Sequence, residues 1–199
     1  MANDDIKWKR QSIFDYIKSD IANKRKKKVA GFKDILYGYR CYPTFRVTFW
    51  LRIRQGMMEK WWYKCWPIKI LIVRLIVDQI LGYYSTKFGL HIPFIKIGQG
   101  LNIIHGDGVY LNAKSIGCNF ICFQGVTLGN YGADENIPTI GNNVTISSLS
   151  VVLGGIKIGN NVVIGSNTVV LKDVPNNSTV IGNPAIIVKL DGKKVNIPL

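Results

Sequence analysis

The stretch "TIGNNVTI" at residues 139–146 returns as "KIGNNVVI" at residues 157–164, eighteen residues further along the chain. Within and around the two copies, an aliphatic side chain stands at every sixth position. These positions are Ile140, Ile146, Val152, Ile158, Ile164 and Val170. The same step is present upstream at Ile97, Ile103 and Val109 and, after a slip of one residue, at Ile116, Cys122 and Leu128. A period of six matches neither an amphipathic helix nor an ordinary strand.

A six-residue period is typical of a parallel β-helix with triangular coils. Three short strands make one coil of eighteen residues, and the inward aliphatic side chain of each strand stacks on those of the neighbouring coils. Gly and Asn recur between the strands, as in "GNN" at 141–143 and 159–161, and both tolerate positive φ at a tight corner. A generic β-sandwich does not hold a register of six for so long. The fold class predicted for this half is therefore mainly β, a parallel β-helix.

The positive charge of the chain lies almost entirely in its first half. Residues 1–96 carry 20 Lys and Arg against 7 Asp and Glu, whereas residues 97–199 carry 6 against 5. All five tryptophans also precede Ile97. We predict a basic, aromatic-rich helical region over 1–96, a β-helix over 97–188 and a C-terminal tail over 189–199.

The helical region is predicted to contain three helices, within residues 4–28, 46–62 and 66–85. The last is the most apolar, but Lys69, Arg74 and Asp78 interrupt it, so no membrane span is predicted. Two roles stay open for this region. It could cap the β-helix and pack on other subunits, or it could contact an anionic lipid surface peripherally, since basic residues alternate with aromatic ones.

Nucleic acid is a poor candidate partner for the basic half. The chain has no RNP-like, helix-turn-helix or zinc-finger pattern, and we interpret the run "KRKKK" at 24–28 as a solvated stretch. The four cysteines form no CxxC pair, and the charged opening "MANDDIKWKR" is not a signal peptide. These features predict a cytoplasmic protein, at the inner face of the membrane if the lipid contact holds.

Three motifs resemble the hexapeptide-repeat acyltransferases: the repeat itself, "VTLGN" at 126–130 and the ending "VIGNPA" at 180–185. Within that family the chain looks most like the serine acetyltransferases and the related exopolysaccharide O-acetyltransferases, over about residues 89–188. The resemblance implies a left-handed coil and acetyl-CoA bound between neighbouring prisms of a homotrimer. It also implies a higher oligomer through the N-terminal helices as a further option.

The segment "KIGQGLNIIHGDG" at 96–108 matches its counterpart in the family without gaps and places His105 at the catalytic position. An imidazole is suited to remove a proton from a hydroxyl near neutral pH, and such a base contributes typically ~10² to 10⁴-fold. Asp107 and Glu135 are candidates for orienting the ring. The alternatives are a turn histidine without a role and solvated loop charges. With only His91 and His105, a three-histidine metal site is excluded, and no metal is predicted.

The resemblance also implies where the ligands would bind. Between Leu128 and Ile140 the repeat takes twelve steps instead of six, so about one hexapeptide leaves the prism as a loop that, in the family, reaches a neighbour's active site. The acceptor-binding candidates in this loop are Tyr131, Asp134 and Asn136. The cofactor-binding candidates are Gly129, Ser148 and Ser166 for the pantetheine arm, and Lys172, Gly182, Pro184 and, more weakly, Lys189 for the nucleotide end.

The sequence departs from the serine acetyltransferases where that resemblance implies charged acceptor-binding residues. Ile104 stands in place of an aspartate before the histidine, and Leu90 in place of an upstream carboxylate. Asn136 and Ile137 replace an arginine and a histidine. We therefore predict an O-acetyltransferase that acts on a saccharide hydroxyl, in the assembly of surface polysaccharide. A serine O-acetyltransferase of cysteine biosynthesis and a non-catalytic scaffold are the alternatives.

Overall fold

The computed structural model describes residues 12–59, 67–130 and 136–199, and only the backbone of 58–59 and 67–71. Its helices are α1 (Ile13–Lys24), α2 (Phe32–Cys41), α3 (Pro43–Glu59) and α4 (Pro67–Lys87). Helix α4 begins at the proline that opens the predicted segment, as suits a residue without a backbone N–H. Helix α2 was not predicted, and residues 4–11 of the first predicted helix lie outside the described residues. Among the described helices, none is long and apolar enough to cross a membrane.

The β region consists of short strands that wind through three sheets. The strands are β1 (Leu90–His91), β2 (Lys96–Ile97), β3 (Asn102–Ile103), β4 (Val109–Leu111), β5 (Ser115–Ile116), β6 (Ile121–Cys122), β7 (Thr127–Gly129), β8 (Thr139–Ile140), β9 (Thr145–Ile146), β10 (Val151–Leu153), β11 (Lys157–Ile158), β12 (Val163–Ile164), β13 (Val169–Val170), β14 (Ser178–Ile181), β15 (Ile186–Leu190) and β16 (Lys193–Pro198).

Each sheet takes one strand from every coil. Sheet A runs β1-β4-β7-β10-β13, sheet B runs β2-β5-β8-β11, and sheet C runs β3-β6-β9-β12-β14 and ends in β15 and β16. Successive strands up to β14 pair in parallel; Val151, for example, lies opposite Thr127 in one neighbour and Val169 in the other. The predicted parallel β-helix is confirmed.

The six-residue aliphatic step forms the core of the prism. The side chains of Ile140, Ile146, Val152, Ile164 and Val170 have no exposed surface, and that of Ile158 is 2% exposed. Since stacked aliphatic side chains bury nearly all their surface, this column supplies most of the hydrophobic stabilisation of an element whose strands are only two to four residues long.

Asparagines form a hydrogen-bonded ladder along the corner between sheets B and C. Asn119, Asn143, Asn161 and Asn177 all have φ between 55° and 57°. The Nδ2 of each donates to the Oδ1 of the next at 2.8–2.9 Å, and that of Asn177 donates to Asp191. Asparagine therefore serves twice here, because it tolerates the left-handed backbone and links each coil to the next.

The composition boundary does not coincide with the start of the β-helix. Strand β1 already pairs with β4, and Leu90 is buried in the same core. Leu90 lies seven positions before Ile97, so the six-step pattern does not reach it. At the other end, β15 and β16 form an antiparallel hairpin on sheet C, where the sequence predicted a tail.

Side chains of the helical region close the open end of the first coil, β1 to β3. The carboxylate of Asp20 in α1 accepts the backbone N–H of Gly100 and Leu101, both at 2.9 Å. The guanidinium of Arg52 in α3 donates to the carbonyls of Ile97 and Gly98, at 2.7 and 2.6 Å. These backbone groups have no preceding coil to pair with, and buried groups of this kind must be satisfied.

Asp20 and Arg52 also pair with each other, at 2.7 Å, and each side chain is 1% exposed. The helical region thus packs on the β-helix, as the first of the two interpretations expects. Contact of this region with lipid stays a prediction.

Gly141 is expected to be essential to the coil spacing. A Cβ at this position would lie 2.6 Å from the carbonyl oxygen of Gly159 in the next coil, so Gly141→Ala should destabilise the fold by roughly 1–3 kcal/mol through overpacking. Thermal unfolding measures the effect. In the control Gly82→Ala, on α4, the new Cβ meets nothing within 4 Å, and about 1 kcal/mol of stabilisation is expected from helix propensity. Equal melting temperatures for the two variants would contradict the close-approach argument.

Removal of Asp20 should detach the helical cap. Asp20→Ala leaves Arg52 buried without its partner, and we expect a loss of roughly 3–5 kcal/mol in unfolding free energy. Denaturant unfolding gives the value. Lys27→Ala, which removes one exposed contact to Asp34, is the control and should change stability little. A cap that tolerates Asp20→Ala as well as Lys27→Ala would show that the buried pair is not what anchors it.

Candidate active site

His105 lies on the corner between sheets C and A, in the turn from β3 to β4. This C–A corner is formed by residues 104–108, 123–126, 147–150 and 165–168 of successive coils. The backbone of His105 is left-handed, with φ at 62°. That conformation costs about 1–2 kcal/mol for a residue with a side chain other than Asn or Asp. Such strain is found preferentially at functional positions, and here it turns the imidazole outward, where it is exposed.

A cavity of about 490 Å³ opens beside His105. The turn of the β-helix forms one wall and the helical region forms the other. Its lining residues are Lys24, Lys26, Tyr42, Pro43, Thr44, Phe88, Asn102, Ile104, His105, Gly106 and Asp107. The wall from the helical region carries the ends of α1 and α2 and the start of α3, so the cavity exists only because the cap is docked.

Lys24, the last residue of α1, reaches into this cavity. Its Nζ donates to Thr44 Oγ1 at 2.9 Å, to Asn102 Oδ1 at 3.3 Å and to the carbonyl of Ile103 at 2.8 Å. Burial lowers the pKa of this ammonium to about 8. The interpretation of residues 24–28 as a solvated stretch is therefore wrong for Lys24, because the docking of α1 on the first coil partly buries this side chain and gives its ammonium protein partners.

Two neighbours complete the surroundings of Lys24. The ring of Tyr42 lies with its centroid 5.5 Å from Nζ, a cation–π contact. On the inner side, burial raises the pKa of the Cys122 thiol to about 12, against the opposing effect of the Lys24 charge, so Cys122 stays a neutral thiol at physiological pH. No thiolate is present there to balance the ammonium.

Asp107 lines the same cavity as His105 and is exposed. Within the described part of the chain, no hydrogen bond or ion pair joins its carboxylate to the imidazole. Among the candidates of the loop, Tyr131, Asp134 and Glu135 lie outside the described residues. Asp107 is thus placed beside His105 but not in contact with it.

Three of the predicted cofactor residues share the C–A corner with His105. The backbone carbonyl of Gln124 accepts the N–H of Leu149, and that of Ser148 accepts the N–H of Asn167, so the corner residues stack coil upon coil. Ser166 is exposed directly beyond Ser148, and Gly182 follows, its N–H donating to Thr168 at 3.1 Å. With about 4.8 Å between neighbouring strands, the C–A corner runs roughly 19 Å from the turn of His105 to Gly182. Its residues are small at Ser148, Ser166 and Gly182, whereas Gln124 and the exposed Leu149 are larger.

The remaining candidates lie elsewhere. Gly129 ends β7, and Lys172 is exposed between β13 and Val174, both at the corner between sheets A and B. Asn136 is at that corner too, where its Oδ1 accepts the N–H of Gly155 at 2.7 Å. Pro184 is exposed beyond Gly182, and Lys189 is exposed on the terminal hairpin. Within one chain, the predicted cofactor residues are therefore divided between two corners of the prism.

Two of the charged acceptor positions implied by the resemblance, those of Ile104 and Leu90, hold apolar side chains. Ile104 lines the cavity, and Leu90 is only 3% exposed and packs in the core. Sequence reasoning missed Lys24, Lys26, Tyr42 and Thr44 as cavity residues. None of them belongs to the repeat, and no short motif marks them, so only the docking of the helices could have found them.

Comparison with known proteins agrees with this architecture. Residues 137–172 match the family model described as bacterial transferase hexapeptide (six repeats). A serine acetyltransferase of Staphylococcus aureus strain Mu50 is 43% identical over 136 residues, which cover 67% of this chain and 63% of the relative. The match thus spans less than two thirds of that relative.

Solved structures show the same fold over most of the chain. A serine acetyltransferase in complex with CoA matches with a TM-score of 0.67 at 26% identity, over 89% of this chain and 70% of the other. The serine acetyltransferase of Neisseria gonorrhoeae in complex with serine matches with a TM-score of 0.69 at 25% identity, over 89% and 69%. The expected architecture, a helical region followed by a left-handed β-helix, is confirmed, and the chain is similar in both sequence and fold to serine acetyltransferases with hexapeptide repeats.

Proposed function

We propose that the protein is an O-acetyltransferase that moves an acetyl group from acetyl-CoA to a hydroxyl, with His105 as the general base. The observation that carries this proposal is the placement of His105. An exposed imidazole in a left-handed turn opens on a cavity at the head of the C–A corner, where Ser148, Ser166 and Gly182 follow on later coils. No other described residue holds the ring by a hydrogen bond, so its nitrogen is available to a substrate.

In the proposed reaction, the imidazole accepts the proton of the acceptor hydroxyl while the hydroxyl oxygen attacks the acetyl carbonyl. Acetyl-CoA supplies that acetyl group as a thioester. The proton held on His105 then leaves with the departing thiol. A backbone N–H facing the carbonyl oxygen would stabilise the negative charge that develops there. Asp107, in the same cavity, is the described carboxylate in position to orient the ring once a substrate is bound.

The column along the C–A corner suits an extended, thin ligand. Ser148, Ser166 and Gly182 leave little bulk above the prism, and the structure with CoA among the relatives supports coenzyme binding by this chain. Gly129 and Lys172 lie at the other corner of sheet A. They would join the same site if a second prism of a homotrimer faced this one, which is the assembly that we propose.

The acceptor has two candidates, each supported by its own observation. Serine is favoured by the comparisons, through the name of the 43% identical relative and the structure with bound serine. A saccharide hydroxyl of a surface-polysaccharide precursor is favoured by the site, because Ile104 and Leu90 cannot pair with the ammonium of an amino acid. In either case the cytoplasmic location, and a peripheral place at the membrane, stay predictions.

His105→Ala should lower kcat/KM for acetyl transfer by roughly 10² to 10⁴-fold, since the hydroxyl loses its base. Release of free thiol from acetyl-CoA measures the rate. His91→Ala is the control, because His91 is the other histidine of the chain. Its ring stacks on that of Tyr110 on sheet A, with 4.6 Å between the ring centroids, and it does not line the cavity. Turnover that survives His105→Ala undiminished would favour the non-catalytic scaffold.

The acceptor is decided by the same thiol-release assay with a panel of serine, nucleotide sugars and oligosaccharides. If the acceptor is serine, as the similarity to serine acetyltransferases suggests, serine should give the highest kcat/KM. If the acceptor is a saccharide, as the apolar Ile104 suggests, a sugar should give the highest kcat/KM. Release with serine alone would remove the saccharide proposal. Release with sugars and none with serine would remove the serine proposal and explain why Ile104 and Leu90 stand where the resemblance implies carboxylates.

A further inference from the structure

We propose that Lys24 and Lys26 form an anion subsite in the acceptor cavity, which binds a carboxylate or phosphate group carried by the hydroxyl acceptor. The inference rests on the proposed function, because it concerns the acceptor of the same site. It adds a specificity determinant that comes from the helical region and not from the repeat.

The first argument is the balance of charge around Lys24. Its ammonium donates to three oxygens, those of Thr44, Asn102 and Ile103, and all three are neutral. Within the described residues no carboxylate forms an ion pair with it. A desolvated charge without a counterion is unfavourable, and an anionic ligand would supply that counterion.

The second argument is the location of the ammonium. Lys24 and Asn102 both line the cavity, and the 3.3 Å contact between them is the longest of the three. A ligand oxygen could replace the Asn102 amide oxygen with little rearrangement. Ile103, whose carbonyl Lys24 also holds, lies two residues before His105. A ligand group at Lys24 would therefore be close to the proposed base.

Lys26 adds a second positive charge at the mouth of the cavity. It lies beyond the end of α1 with φ at 53°, is exposed and lines the cavity. Asp107 is the described carboxylate in the lining, so two lysines face one acidic group. The lowered pKa of Lys24, about 8, fits an ammonium that lacks a partner in the free protein.

The two lysines should make the protein prefer hydroxyl acceptors that carry a negative charge. Serine carries a carboxylate, a uronic acid carries one as part of the sugar, and a sugar phosphate carries a phosphate. All three present anionic oxygens that an ammonium binds by charge-assisted hydrogen bonds. A neutral hexose does not, and should be the poorer acceptor.

Acetyl transfer to paired acceptors tests the proposal. The pairs are glucuronate with glucose, glucose 6-phosphate with glucose, and serine with serinamide. For the wild-type protein kcat/KM should favour the anionic member of the accepted pair. In Lys24→Met this preference should fall by roughly 10-fold, as expected for loss of one hydrogen bond to an ionised group. Lys26→Met should reduce it less, and Lys24→Arg should restore part of it.

Lys28→Met is the matched control. Lys28 belongs to the same basic run, is exposed and does not line the cavity, so its replacement should leave the preference unchanged. An equal preference in Lys24→Met, Lys26→Met and Lys28→Met would overturn the proposal. If Lys24→Met does not fold, Lys26→Met against Lys28→Met still decides, and there too equal preferences overturn it.

The pH dependence gives an independent readout. The charged and titratable groups around Lys24 are Lys26, Tyr42, His105, Asp107 and the neutral thiol of Cys122. Lys24 is protonated below its pKa of about 8 and loses the charge above it. The ratio of kcat/KM for glucuronate to that for glucose should therefore fall between pH 7 and pH 9.5. The ratio cancels every pH effect that the two acceptors share. A flat ratio would count against Lys24 as the anion contact.

Direct binding separates failure of the subsite from failure of the proposed function. The chain has two histidines, so the imidazole NMR signals of His105 and His91 can be resolved and assigned with His91→Ala. Titration with inorganic phosphate or glucuronate should shift the His105 signal and leave that of His91 in place. Lys24→Met should weaken the titration. If no acceptor is acetylated but this shift is seen, the subsite stands without the reaction; if no shift is seen, the subsite is wrong.

Discussion

The register between coils is the constraint on which the rest of the structure depends. Each strand is only a few residues long, so its backbone hydrogen bonds and its buried side chain find partners only when the next coil follows the same path. Val152 stacks between Leu128 and Val170 because their strands pair in parallel in sheet A. The same repetition aligns the corners, which places Ser148 and Ser166 on one line. The turn that carries His105 has two additional residues and lies at the head of that line.

A repeating coil leaves its first turn with unpaired backbone groups, and here a charged pair replaces the missing strand. Asp20 accepts two backbone N–H groups and Arg52 donates to two carbonyls of that turn. Burial raises the pKa of the Asp20 carboxyl, while Arg52 and the two N–H groups oppose that effect. The pair orients α1 on the first coil as well as stabilising the fold, because Asp20 holds the helix against that coil four residues before its last residue, Lys24. Lys24 is carried into the cavity as a consequence.

The candidate site thus has two sources. The coil supplies the imidazole and the small-residue column, which suit chemistry shared across a family of transferases. The helical region supplies the opposite wall of the cavity, with Lys24, Tyr42 and Thr44. Because the two walls come from separate parts of the chain, the sequence of the helical wall can change while the turn that carries the imidazole stays the same.

The amino-acid sequence alone was enough to predict the β-helix and to select His105 as the candidate base. A six-residue period can be read from the sequence without any knowledge of contacts. The segment from Lys96 to Gly108 could also be matched to its counterpart in the family without gaps. Helix α2, the early start of the coil at Leu90 and the hairpin at the C-terminus escaped it, because none of them carries the period. Only the tertiary structure decided that Lys24 is a cavity residue and not part of a solvated run. Whether a lysine meets water or protein depends on how a helix docks, and that docking is set by a buried ion pair between residues 32 positions apart.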